Sequence, residues 1–254
     1  MRTLDASSIR RGAVAELFAR PFPTTASVLV PFAVFASLVP GYLVVGTYAP
    51  GRTLHMPELA LDRAWPVQPV WTLVYGSLYF AVFLPMVVLR QEEHIRRTLW
   101  ALVMIWIVGS AGWLIYPTML PRPSPATLGA GFCDWALQIA YTWDAPYNCF
   151  PSLHVAQAVL AAFTCNLVSR GIGLAAGVWA SLIAISTLFT KQHYVADVIA
   201  GALLGGLAYF VFLRGYSRTS VTRLDKSVGP VVVVGFLGVH TFAILGFWVA
   251  YQMR

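Results

Sequence analysis

The chain predicts an all-α fold, a polytopic bundle of membrane helices, and three observations carry that expectation. Of its 254 residues, 58% are hydrophobic and only 11% are charged, whereas a soluble domain carries about 25% charged residues. Mean hydropathy is +0.71. Apolar stretches close to the ~20 residues that cross a bilayer core recur along the whole sequence. The net charge of +7 therefore reads as the basic cytoplasmic loops of a membrane protein, not as a nucleic-acid surface.

The elements follow in order. Ile9, Ala13, Val14, Leu17 and Phe18 recur at helical spacing, with Arg10, Arg11, Glu16 and Arg20 mostly off that stripe. Residues 1–26 thus predict an amphipathic segment on the cytoplasmic leaflet. Seven spans follow: Ser27–Tyr48, Pro69–Leu89, Thr98–Tyr116, Ser152–Ser169, Gly171–Phe189, Val195–Leu213 and Gly229–Tyr251. The first holds Pro31 and Pro40, which predict a kink. It is also too long for the apolar core of a cleavable signal. Spans four and five are separated by Arg170 alone, so they form an antiparallel hairpin. Residues 27–214 make a six-helix catalytic membrane domain, and 215–254 add a cytoplasmic loop and a seventh, C-terminal span.

Lys and Arg set the orientation. With the N-terminus inside, Arg2, Arg10, Arg11, Arg20, Arg90, Arg96, Arg97, Arg170, Arg214, Arg218, Arg223 and Lys226 are cytoplasmic. Arg52, Arg63, Arg122, Lys191 and Arg254 are outside. This bias predicts an N-in, C-out protein of a bacterial inner membrane or its equivalent. It also brings two histidine motifs, Pro151-Ser152-Leu153-His154 and His193-Tyr194-Val195-Ala196-Asp197, to one outer (periplasmic, luminal or extracellular) face.

Those motifs carry chemistry. His193 and Asp197 are four apart, so on one helix they share a face. Asp197 can fix the His193 tautomer and leave the other ring nitrogen free to attack. Asp197 is also the one carboxylate in any predicted span, and an intramembrane ionisable residue is a functional hypothesis by default. Ser152 reads as the N-cap of the fourth span, whose free N–H groups favour an anion. His154, in the first turn, can protonate a departing alkoxide. Arg122, in Leu120-Pro121-Arg122-Pro123, and Lys191 are the outer cations beside these motifs, suited to phosphate. Cys133 and Cys149 share the outer loop 117–150 and are a candidate disulfide. Cys165, inside a span, reads as packing.

These residues resemble the three signature regions of the type 2 phosphatidic acid phosphatase superfamily over roughly Tyr116 to Gly206, and the six-helix layout matches. The resemblance implies a six-helix phosphatase-type core with His154 as general acid, His193 as nucleophile and Asp197 as its orienter. It further implies phosphate binding by Arg122 and Ser152, with no metal or other cofactor. The departures matter. The family's Lys-x6-Arg-Pro has Ile115 at the Lys position. Its Pro-Ser-Gly-His has Leu153 for glycine. Its Ser-Arg-x5-His has Thr187 for arginine after Ser186. Lys191 is a partial substitute. Phe-Pro-Ser-Leu-His with His-Tyr-x-x-Asp is closer to the inositolphosphotransferase branch, which resembles inositol phosphorylceramide and sphingomyelin synthases.

A phosphomonoester carries about −1.5 to −2 charges and a diester one, so the missing cations lean towards diester donors. The expected activity is transfer of a phosphate-containing headgroup from a membrane lipid to an alcohol or water acceptor through a phosphohistidine. A phosphatase acting on a monoester or pyrophosphate lipid is the alternative, and a metal- or proton-coupled transporter is the rival of another class. Asp134, Asp144, Tyr147 and Asn148 of the outer loop are candidates to hold a polyol, under a cover of Trp135, Trp143 and Tyr147. His240 reads as a satisfied histidine of the seventh helix. Oligomeric state is not specified by any of these features.

Overall fold

The computed structural model describes residue 15 and residues 23–48, 51–89, 91–221 and 223–254. The expected amphipathic segment therefore lies, apart from Ala15, outside the described residues. Among those residues the fold is all-helical, with one isolated bridge between His55 and Thr118. The helices are α1 (Ala26–Tyr48), α2 (Ala60–Ala64), α3 (Thr72–Tyr75), α4 (Leu78–Ala81), α5 (Leu84–Val88), α6 (Glu92–Ile115), α7 (Phe132–Trp143), α8 (Leu153–Val168), α9 (Arg170–Phe189), α10 (Val195–Phe212) and α11 (Arg223–Gln252). Among the described residues, four stretches are long and apolar enough to cross a membrane: Glu92–Ile115, Arg170–Phe189, Val195–Phe212 and Val228–Gln252. Ala26–Tyr42 and Leu153–Val168 are shorter apolar helices. At 1.5 Å per residue, α8 is about 24 Å long, less than the ~30 Å hydrocarbon core.

The second predicted span is not one regular helix. Residues 69–88 run as the 3-10 turn Pro69–Trp71 followed by α3, α4 and α5. Pro85 has no N–H to offer the carbonyl four residues back. At Ser77 the bonding slips to a three-residue spacing, its N–H donating to Val74 O at 3.0 Å. His240 on α11 lies 2.9 Å from the Leu73 carbonyl and stacks on Phe236, so the extra helix supports this broken segment.

α8 is the centre of the bundle, with α9 and α10 packed along it and α6 behind. Its Leu160 shares one core cluster with Leu102 and Ile105 of α6 and Leu204 of α10. Glycines set how closely the helices approach. A Cβ on Gly201 would sit 2.3 Å from the Ser152 carbonyl oxygen, and one on Gly205 2.3 Å from that of Ala156. This small-xxx-small pair on α10 lets the two backbones touch. From the other side, a Cβ on Gly112 of α6 would meet the Pro151 ring at 2.7 Å. The Phe150–Pro151 peptide is cis. The head of α8 is thus held between two helices, and Ser152 N–H donates to the Asp197 carbonyl at 3.1 Å.

Candidate active site

Both expected histidines sit at the heads of their helices. Ser152 is the N-cap of α8, its hydroxyl accepting from Val155 N–H, which puts His154 in the first turn. α10 begins with a capping box in which the Asp197 carboxylate accepts the Tyr194 N–H at 2.8 Å. The loop between α9 and α10 is pinned by Thr187, whose carbonyl accepts the N–H groups of Gln192 at 2.9 Å and His193 at 3.2 Å. Lys191 adopts φ 51, a left-handed conformation uncommon outside glycine. A second carboxylate reaches the same helix from elsewhere: Asp62 accepts from Val195 N–H at 2.8 Å.

The packing brings His154, His193 and Asp197 together. His154 Nδ1 lies 3.0 Å from His193 Nε2, and His193 Nδ1 lies 3.5 Å from Asp197 Oδ2. His193 and Asp197 are buried. On its far side His154 Nε2 meets the Tyr75 hydroxyl at 2.7 Å. Tyr75 donates in turn to Asp144 Oδ2 at 2.5 Å. The result is one chain: Asp144, Tyr75, His154, His193, Asp197. Its three hydrogen bonds, Asp144–Tyr75, Tyr75–His154 and His154–His193, need three protons, which the hydroxyl and two neutral imidazoles supply. The fourth contact, His193 Nδ1 to Asp197 Oδ2, is an approach at 3.5 Å without a hydrogen bond.

The outer loop is placed differently from expectation. Asp144 is buried and accepts from Tyr42 at 3.1 Å and Tyr79 at 3.0 Å as well as from Tyr75. It is an internal partner of the histidine pair, not a loop-surface group. Asn148 is also buried, its amide donating to the Tyr42 carbonyl. Asp134 accepts the Gly129 N–H and serves its own loop. Tyr147 is partly buried in the turn after α7. Trp143 is 74% exposed, and Trp135 packs on Phe247 and Tyr251 of α11, so neither tryptophan covers the histidines. The expected Cys133–Cys149 disulfide is not formed, and both thiols are free. The Cys149 sulfur turns to the Pro146 carbonyl in a cluster with Leu120 and Tyr194, while Cys133 stands on α7.

The two cations take separate positions. Arg122 donates to the carbonyls of Tyr141 and Asp144 and, at 2.6 Å, to Gln192 Oε1. Its guanidinium lies over the Tyr141 ring at 4.5 Å. Burial pushes the Tyr141 hydroxyl up to about 12, so it stays a donor, bonded to the Thr190 carbonyl at 2.7 Å. Lys191 Nζ donates to the Asp62 carbonyl at 3.0 Å. With Asp62, Met56, Trp65, Tyr194 and His193 it lines a cavity of about 420 Å³. Neither departure position compensates: Ile115 is 80% exposed, and the Thr187 hydroxyl is spent on the Ala184 carbonyl. Among the described residues no group of three His, Cys, Asp or Glu side chains could hold a metal ion.

The sequence reading missed Tyr42, Tyr75, Tyr79, Asp62 and Gln192. Tyrosines in an apolar span read as interfacial residues, and nothing local announces a carboxylate partner 65 or more residues away.

A model of the PAP2 superfamily matches residues 54–211, a stretch that holds every residue of the chain just described. Comparisons with curated proteins and with solved structures give no significant match.

Proposed function

The chain belongs to the PAP2 superfamily, whose membership implies lipid phosphatase or phosphotransferase activity, and from that premise we propose a specific reaction: transfer of a phosphate-containing headgroup from a lipid donor to a hydroxyl acceptor through a phosphohistidine, at the outer membrane face. The observation that carries the proposal is the histidine pair, nitrogen to nitrogen at 3.0 Å, with a carboxylate behind each ring. In this reading Asp197, 3.5 Å from His193 Nδ1, favours the proton on that nitrogen, and Nε2 presents its lone pair. His154 is the proton donor beside it, backed through Tyr75 by Asp144.

The steps balance. His193 Nε2 attacks phosphorus while the bond to the leaving oxygen breaks, and His154 gives that oxygen its proton. The acceptor hydroxyl then attacks the phosphohistidine, its proton goes to His154, and the N–P bond breaks. Catalysis rests on positioning and charge stabilisation. Attack on phosphorus at about 3–3.5 Å, the P–O bond in line with it, and a hydrogen bond of about 2.6–3.2 Å to the leaving oxygen require far more than the 3.0 Å that separates the two nitrogens. The phosphoryl group therefore enters by parting the pair. The missing cations at Ile115 and Thr187 favour a singly charged diester donor, as in the inositolphosphotransferase-like branch. Lys191 and the cavity beside His193 provide the headgroup seat, reached from the outer leaflet in an N-in topology.

The test is to incubate purified protein with labelled phosphomonoester and phosphodiester lipids, with and without alcohol acceptors, and to follow the phosphorus. Label on the alcohol supports transfer. Free phosphate alone turns the reading into the phosphatase alternative. Activity that survives His193→Ala overturns the mechanism altogether.

A further inference from the structure

We infer that Gln192 is a phosphoryl-oxygen donor that, oriented by Arg122, fits the site to a singly charged phosphodiester. The inference deepens the phosphotransfer reading and rests on it for the identity of the anion. Gln192 is 4% exposed. Its Oε1 accepts from Arg122 Nη2 at 2.6 Å. An arginine has only donors, so the amide oxygen must face it and the NH2 must point elsewhere. That nitrogen has no hydrogen-bond partner among the described residues, and neither does Arg122 Nε.

Two adjacent side chains thus hold buried, unused donor nitrogens, and neither side chain has an acceptor to spare. Leaving a buried donor unmet is costly, and such exceptions call for an explanation. Here a ligand supplies one: donors without an acceptor suit an anion. Gln192 directly precedes His193, and the Thr187 carbonyl fixes both backbone N–H groups, so the Gln192 backbone is anchored beside the nucleophile while Arg122 orients its side-chain amide. The amide is neutral. A donor of this kind stabilises charge that develops on a non-bridging oxygen without adding the cation that a doubly charged monoester needs. Arg122 alone then supplies the buried positive charge, and Lys191 is held away on the Asp62 carbonyl.

The decisive variant is Gln192→Glu. It keeps the shape and the Arg122 partner, now as an ion pair, but replaces the donor by a negative oxygen. A residue with a purely structural task tolerates this change; an anion donor does not. Orthovanadate binding to the purified full-length protein, read by tryptophan fluorescence, reports the site without turnover. We expect Gln192→Glu to weaken vanadate at least tenfold with an unchanged melting temperature. We expect Gln192→Lys to raise the monoester-to-diester ratio of kcat/KM at least tenfold. Wild-type vanadate affinity in Gln192→Glu, an unchanged donor ratio in Gln192→Lys, or no vanadate binding by the wild type overturns the inference. Vanadate binding that depends on Gln192, in a protein that moves phosphorus from no lipid, upholds the donor role and refutes the phosphotransfer reading instead.

Discussion

Gly201→Ala is a one-methyl test of how the site is assembled. The added Cβ would lie 2.3 Å from the Ser152 carbonyl oxygen, a backbone atom that cannot swing aside. Ordinary contact begins at 3.4 Å, so α10 and the head of α8 must part by about 1.1 Å. Overpacking of this kind costs about 1–3 kcal/mol. The same displacement separates Ser152 and His154 from Asp197 and His193, whose ring contact is 3.0 Å. A misplacement of about 1 Å can cost roughly 100-fold in rate, or about 2.7 kcal/mol of barrier. Gly206→Ala is the matched control. It is the same substitution on the same helix, but nothing lies within 4 Å of its Cβ, and alanine is the better helix former by up to about 1 kcal/mol. The assay is phosphorus transfer by both variants at equal folded concentration, with thermal unfolding in the same detergent. Gly201→Ala should lose about two orders of magnitude in kcat and Gly206→Ala should lose none. Equal activity in the two variants would refute the claim that this backbone contact sets the histidine geometry.

Three further outcomes are expected. Tyr75→Phe breaks the link between Asp144 and His154, so kcat should fall about 10- to 100-fold with KM little changed and a displaced acid limb in the pH–rate profile; an unmoved profile would assign Tyr75 to packing alone. Burial pushes the Cys149 thiol up to about 12, so at pH 8 maleimide should label Cys133 first and Cys149 only after unfolding. The sign for stability follows: between pH 9 and 12 the unfolded chain loses that proton and the folded chain keeps it, so stability falls as pH rises through this window, a slope that Cys149→Ala should flatten. Activity should persist in EDTA, measured by the same transfer assay; loss restored by zinc would support a metal mechanism.

Much of this architecture was legible because burial in lipid demands long apolar runs. α6, α9, α10 and the Val228–Gln252 stretch stand where hydropathy puts them. The broken path from Pro69 to Val88 was not legible, since an apolar run does not reveal that Ser77 bonds Val74 and leaves the Leu73 carbonyl to His240 of another helix. In the site, His154, His193 and Asp197 could be found because their spacing along helix starts is local. Asp144 could not be placed correctly: its partners Tyr42, Tyr75 and Tyr79 come from two other segments, and an aspartate in a long loop reads as a surface residue until the tyrosines are seen to close over it. Cys133 and Cys149 share a loop, yet sharing a loop says nothing about which way each sulfur turns. Gln192 carries no charge and belongs to no signature, so only the unmet hydrogens of its amide single it out.

The hydrogen-bonded run from Asp144 through Tyr75 and His154 to His193 has a consequence for energetics at the membrane. In the proposed transfer the departing group takes a proton from His154 and the acceptor hydroxyl returns one to the same histidine. Each turnover is then closed in protons: nothing is drawn from either compartment, and the reaction is indifferent to the transmembrane pH difference. An enzyme built this way can work in an energised membrane without leaking or consuming its proton gradient, with Tyr75 and the buried Asp144 standing behind the histidine that lends the proton and takes it back.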